Sequence, residues 1–285
     1  MSSDAPGKAE KGFLPEIAED EASGEIAEIY ADIRACGFPM VNLVYRSLAT
    51  RPEILRLVWE DLKPNFSHQA IDRLAGELMP GEMERVTKIP GDVWPAAGIH
   101  QDYAAAVRTT LAAYNYANSR NLLGFHALLS GTNGTGEVKS SGAAGFEGRL
   151  LPRHDPARLS PAALRLVEGF SRELAPETAE GVVVPSLLRH LVDPPCLAPL
   201  LWTAVTPGLE ELETKSAAVG ESAGRLAQQL PCRVRRLDDQ FGRRIVELFS
   251  EAAANMLIVG SMFERAVESI GDYAGCGGTH PLCGP

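Results

Sequence analysis

The side chains able to do chemistry are few and scattered, and most of their groupings have a plainer account. Gly220-Glu221-Ser222-Ala223-Gly224 matches G-x-S-x-G, the elbow that presents a nucleophilic serine above a sheet. The residues before it, Leu209 to Val219, are helix-like and charged, so this serine is expected on a helix surface. Gly131, Gly134 and Gly136 hint at a phosphate loop, but no strand precedes them and no Lys-Ser/Thr pair directly follows a glycine. Cys276, His280 and Cys283 give a C-x₃-H-x₂-C cluster amid glycines. Zinc there would need a fourth ligand and a folded surround, so no metal is expected. His68, His100, His126, His154 and His190 show no metal-ligand spacing; His126, in an apolar run, is expected to be at least partly buried. Asn115-Tyr116-Ala117-Asn118 sets two amides into a long helical pattern. Asn is a poor interior helix residue, so the stretch reads either as a helix end or kink, or as an amide holding water or a substrate oxygen.

Amphipathic helices must position these groups. Ile26, Ile29, Tyr30 and Ile33 form an i, i+3, i+4, i+7 stripe behind Ser23, a candidate N-cap. Long helical patterns run from about Gln101 to Tyr116 and from about Asp238 to Ser269, and Ser160-Pro161 opens a helix with a cap and a Pro at its first position. Strand alternation is nearly absent; Gly181 to Val184 is too short and isolated to found a sheet. The expected fold is all-α.

The chain has 285 residues, 45% hydrophobic and 22% charged, with 27 Lys plus Arg against 37 Asp plus Glu and a net charge of −10. An acidic chain without a basic cluster does not track phosphate backbones or dock on anionic lipid. No run approaches the roughly 18 uninterrupted apolar residues of a membrane span. The first eleven residues are polar, without the apolar core of a secretory signal, and five scattered cysteines suit a reducing compartment. These features predict a cytoplasmic protein that handles small molecules, with neither nucleic acid nor membrane as partner.

Residues 131–148, rich in Gly, Ser and Thr, read as a flexible linker, and their central position invites a search for a repeat. An ungapped offset of 143, from Arg46 to Arg189, pairs Val41 with Val184, Leu48 with Leu191, Pro52 with Pro195, Leu57 with Leu200, Trp59 with Trp202 and Pro64 with Pro207. The expected organisation is two tandem helical repeats, 13–130 and 149–270, packed as a pseudo-two-fold dimer within one chain, followed by a mobile tail, 271–285. Sites favour seams between packed units, so a pocket is expected where the repeats meet.

Residues 28–59, EIYADIRACGFPMVNLVYRSLATRPEILRLVW, and 112–131, AAYNYANSRNLLGFHALLSG, resemble the group I 2-haloacid dehalogenases, the all-helical kind that acts on both enantiomers. The resemblance extends roughly from Phe13 to Ile270. It implies hydrolytic loss of halide from carbon 2 of a short carboxylic acid, by a water that an aspartate activates, without a covalent ester and without metal or organic cofactor. It further implies that Asn118 helps to place the water, that Met40 and Leu43 stand where the family has aromatic pocket residues, and that Phe249 stands near a pocket tyrosine.

The family's essential aspartate falls on Ser186. A hydroxyl without a base does not accept a proton near neutral pH. Ser186 and Leu43 are mates at the offset of 143, as are His190 and Ser47 one turn further on. Positions i and i+4 share a helix face, so His190 is expected near the Ser186 cavity, either as a base acting through Ser186 and Asn118 or as a packing residue at the seam. Ser186 itself, just after Pro185, could simply cap its helix. Pro39 and Pro185 are read as marking the N-terminal ends of equivalent helices, whose free N–H groups would attract a carboxylate; Arg46 and Arg189 would assist, or serve as ion pairs. The leading expectation is a dehalogenase-like hydrolase, with Asn118, His190 and Ser186 at the reaction and Met40, Leu43, Ser47 and Phe249 around it. The alternative is a relative without that activity that binds a small acid or apolar ligand, or runs a different reaction. A homodimer is left open.

Overall fold

The computed structural model describes residues 13–136, 148–174 and 183–270. Among them the regular secondary structure is all helix, joined by turns and irregular segments, and an isolated antiparallel bridge links Thr135 and Cys232. The Cys276/His280/Cys283 cluster and the tail from 271 lie outside the described residues, as do Gly181 and Val182.

The helices are α1 (Gly24–Ala35), α2 (Leu43–Leu48), α3 (Pro52–Phe66), α4 (Ala70–Gly76), α5 (Val93–Ala96), α6 (Gln101–Ser130), α7 (Pro161–Leu174), α8 (Ser186–His190), α9 (Leu197–Val205), α10 (Leu212–Ala227) and α11 (Gln240–Ala266), with 3₁₀ turns at Pro156–Arg158 and Thr206–Glu211. Their starts follow local chemistry. The Ser160 hydroxyl accepts from Ala163 N–H at the head of α7, and the Asp239 carboxylate accepts from Gly242 N–H at the head of α11. Ser23 is the residue before α1, but its side chain caps nothing.

α6 and α11 share the most extensive interface, and the other helices pack around them into one continuous core. α11 is long and apolar enough to cross a membrane by length and composition, yet 67% of that stretch is buried inside the protein; here it is the central core helix. Side chains of almost no bulk let the two helices approach. A methyl group on Gly260 of α11 would stand 2.1 Å from Asn115 Oδ1 of α6.

Two expectations need correction. α6 runs through Asn115 and Asn118 with no end or kink: each Asn costs a fraction of a kcal/mol of helix propensity, which burial against α11 outweighs. The start of the expected linker is not loose either. Thr132 N–H donates to Val234 O and Gly136 N–H to Pro231 O, and Thr132 Oγ1 accepts from Val234 N–H, so 131–136 is stitched to the strand-like run before α11.

Candidate functional site

A cavity of about 50 Å³ lies where α2, α6, α11 and the entry to α8 converge, several times the roughly 10–15 Å³ that one water needs. α6 gives it Tyr114, Asn118, Asn121 and Phe125, and α11 gives Phe249, Ala252, Ala253 and Met256. Both sets repeat at helical spacing, one face of each long helix. The third wall is Asn42, Leu43 and Val44, and the fourth is Val183, Pro185, Ser186 and Leu187. Its polar groups are amides and hydroxyls; among the described residues no carboxylate, ammonium, guanidinium or imidazole lines it.

Four of the residues singled out from sequence meet here: Asn118, Ser186, Leu43 and Phe249. No side chain among the described residues takes up the Asn118 amide. Asn42 Oδ1 is likewise buried without a partner, so two amides are available to a ligand or water. Asn121 is fixed, its Oδ1 accepting from Tyr45 OH at 2.7 Å.

The other three do not line the cavity. Met40 is buried in the core ahead of α2. Ser47 is buried on α2 with its hydroxyl unpartnered. His190 is turned away because α8 is a single five-residue turn whose end packs on the segment after 148. His190 Nδ1 is 2.6 Å from Leu151 O and Nε2 is 3.0 Å from Tyr114 OH. It therefore reaches the cavity through Tyr114, a residue the sequence reading missed. Tyr114 stands one turn before Asn118 on the same face, and that i, i+4 spacing was the available signal.

Ser186 is the first residue of α8, after Pro185, and its side chain makes no cap. Its Oγ accepts instead from Arg46 Nη2 at 3.0 Å. Pro39 does not open a helix; α2 begins at Leu43. α2 and α8 are short, six and five residues long. Arg46 and Arg189 are engaged as ion pairs. Arg46 donates to Glu16 Oε2 and to Val41 O, and Arg189 Nη1 donates to Glu16 Oε1 at 2.7 Å. One carboxylate thus bridges α2 and α8. Burial opposes its charge, but the two guanidiniums hold Glu16 below the usual carboxylate range.

Arg153 joins these cations beside His190. Burial first, then Arg153, Arg189 and Arg46, depress the imidazole to about 4, although its bond to Leu151 O works the other way. His190 is neutral at pH 7. Burial raises the Tyr114 phenol, against a hydrogen bond from Ser186.

Other motifs stay bland. Ser222 lies within α10 and accepts from Arg225 Nη2. His126 is half-buried, with a lowered pKa caused by burial. Among the described residues no His/Cys/Asp/Glu group could hold a metal ion, and Cys36, Cys196 and Cys232 are free thiols.

Comparison with known proteins supplies a context for this cavity. The family described as halocarboxylic acid dehydrogenase DehI matches residues 39–151, a stretch containing α2 to α6. A configuration-inverting 2-haloacid dehalogenase of Alcaligenes xylosoxydans xylosoxydans is 28% identical over 191 residues, 64% of this chain and 59% of that protein; the match spans less than two thirds of the relative. A D-2-haloacid dehalogenase solved in complex with L-LA superposes with a TM-score of 0.75 at 15% identity, covering 92% of this chain and 99% of that one. A mutant solved with D-2-CPA gives 0.73 at 16% identity and the same coverage. At these identities the likeness is one of fold: the all-helical architecture is shared with solved dehalogenases.

Proposed function

We propose that this protein is a dehalogenase-like hydrolase of the group I kind, acting on short 2-halo or otherwise 2-substituted carboxylic acids by direct attack of water in the cavity. The observation that carries this reading is that Asn118, Ser186, Leu43 and Phe249 line one cavity, in a fold shared with 2-haloacid dehalogenases. Asn118 positions the water, its amide being open. His190 is the base, neutral and able to accept at pH 7. Ser186 is not the nucleophile, because its attack on carbon 2 would leave an ether that water does not cleave, whereas a water attack yields the hydroxy acid at once. No metal or organic cofactor is required by this route.

The reading includes two ancestral copies, 13–130 and 149–270. α2 and α8 begin at Leu43 and Ser186, the offset of 143 seen in the sequence. Trp59 of α3 donates to Asp32 of α1 at 2.7 Å, and Trp202 of α9 stacks on Phe170 of α7 at 3.9 Å, so both tryptophans pack on the helix that opens their half. A small acid as ligand, no nucleic acid or lipid partner and a cytoplasmic setting belong to the same reading.

Halide release from racemic 2-chloropropionate tests it. Release is expected, abolished by His190→Ala and unchanged by Ser222→Ala; no halide above the buffer blank between about pH 6 and 10 overturns the reading. One observation favours a second reading. With no carboxylate on the described cavity wall, the site also suits a relative that binds a small acid or apolar ligand without releasing halide.

A further inference from the structure

The hydrogen bonds behind Ser186 run one way, because their two ends leave no choice. A guanidinium only donates and a carbonyl only accepts. Arg46 Nη2 donates to Ser186 Oγ at one end, and Leu151 O accepts from His190 Nδ1 at the other. With its proton on Nδ1, the neutral imidazole can only accept at Nε2. The group there is the Tyr114 hydroxyl, 3.0 Å away, which therefore donates. The lone pairs of the Tyr114 oxygen are left for Ser186 and for the cavity, which both residues line.

We propose that Tyr114 is the proton carrier of this cavity, accepting the proton of the attacking water while it passes its own to His190 Nε2. The inference rests on the dehalogenase-like reading and deepens it. As the water oxygen bonds to carbon 2, the carbon–halogen bond breaks and the halide leaves with the electron pair. One water proton moves to the Tyr114 oxygen, the phenol proton moves to His190, and the second water proton stays on the new hydroxyl. The imidazolium then returns its proton by the same path to water in the emptied cavity. Arg46, Arg153 and Arg189 face His190, and Glu16 pairs with Arg46 and Arg189. Burial first, and then these three guanidiniums, hold the imidazole at about 4, so it is neutral and able to take the phenol proton near pH 7. His190, acting through Tyr114, is a positioning and storage residue; Tyr114 touches the water.

The test is steady-state halide release from 2-chloropropionate by the wild type, Tyr114→Phe and His190→Gln across pH. General-base contributions run about 10²–10⁴-fold, so Tyr114→Phe should lower kcat by about 100-fold or more with KM within about threefold. The wild-type kcat should fall on an acid limb that His190→Gln abolishes. An active wild type with Tyr114→Phe retaining more than about a third of kcat overturns the relay alone and leaves the dehalogenase reading standing. A silent wild type overturns that reading, and the relay with it. If a thermal melt shows that Tyr114→Phe does not fold, His190→Gln decides: wild-type kcat and an unchanged acid limb overturn the relay.

Discussion

Acid should unfold this protein partly through His190, by an amount the structure fixes. Burial and three guanidiniums hold its imidazole at about 4, against 6.5 for the free side chain. Above 6.5 neither the folded nor the unfolded chain protonates the ring, and no stability is at stake. Below 6.5 the unfolded chain takes up a proton that the folded chain refuses until about 4, so stability falls with pH across that window. At about 1.4 kcal/mol per pH unit, the loss is about 2 kcal/mol by about pH 5 and about 3 kcal/mol at full extent. Glu16 loses stability in acid too, since its folded value is depressed, so the wild type alone does not isolate the histidine. His190→Gln does, because the amide keeps a donor for Leu151 O and an acceptor for Tyr114 but does not titrate. Urea unfolding of both proteins at several pH values from about 7 to 4 is the assay. The variant should be less stable near pH 7 and close the gap by about 2–3 kcal/mol in acid. Parallel losses would refute a neutral, buried His190, and with it the proposed base.

Glu16→Gln removes the carboxylate that bridges Arg46 and Arg189 and should cost about 3 kcal/mol, read from a shift in the urea midpoint at an unchanged slope. Gly260→Ala drives a methyl group against Asn115 Oδ1 at the centre of the α6–α11 interface and should cost about 1–3 kcal/mol, visible as a lower Tm. Asn118→Ala should reduce halide release by about 10–100-fold if its amide aligns the water, without the stability loss expected of a packing residue; wild-type turnover would remove that role.

Much of this was legible in sequence where the signal is local. The Ser160-Pro161 start of α7 and the apolar stripe of α1 follow from capping and spacing; Asn115 and Asn118 stood out as two amides in a helical pattern, and the family resemblance singled out Asn118. Of the two accounts left open for these amides, a helix end there fails, because propensity is a weak local term and the burial opposing it involves α11, more than a hundred residues away. His190 was placed on the right element and near the cavity, but it meets the cavity through Tyr114 rather than lining it. Tyr114 shares a stripe with Asn118, Asn121 and Phe125, yet nothing local distinguishes its hydroxyl from a core tyrosine until Leu151 and His190 arrive from elsewhere. Glu16 had no signal at all, since its two arginines sit 30 and 173 residues away.

Glu16 also gives the N-terminal segment a structural duty. Ile17 N–H donates to Arg46 O and Ile17 O accepts from Tyr30 OH, so the segment around Glu16 is laced to α1 and α2 while its carboxylate reaches across to α8. Two walls of the cavity, joined directly by Arg46 and Ser186, are thus also held by a clasp that belongs to neither. Trimming the chain back beyond Glu16 would keep every cavity-lining residue yet leave the two guanidiniums without their shared carboxylate, so part of what holds the chamber together lies outside it.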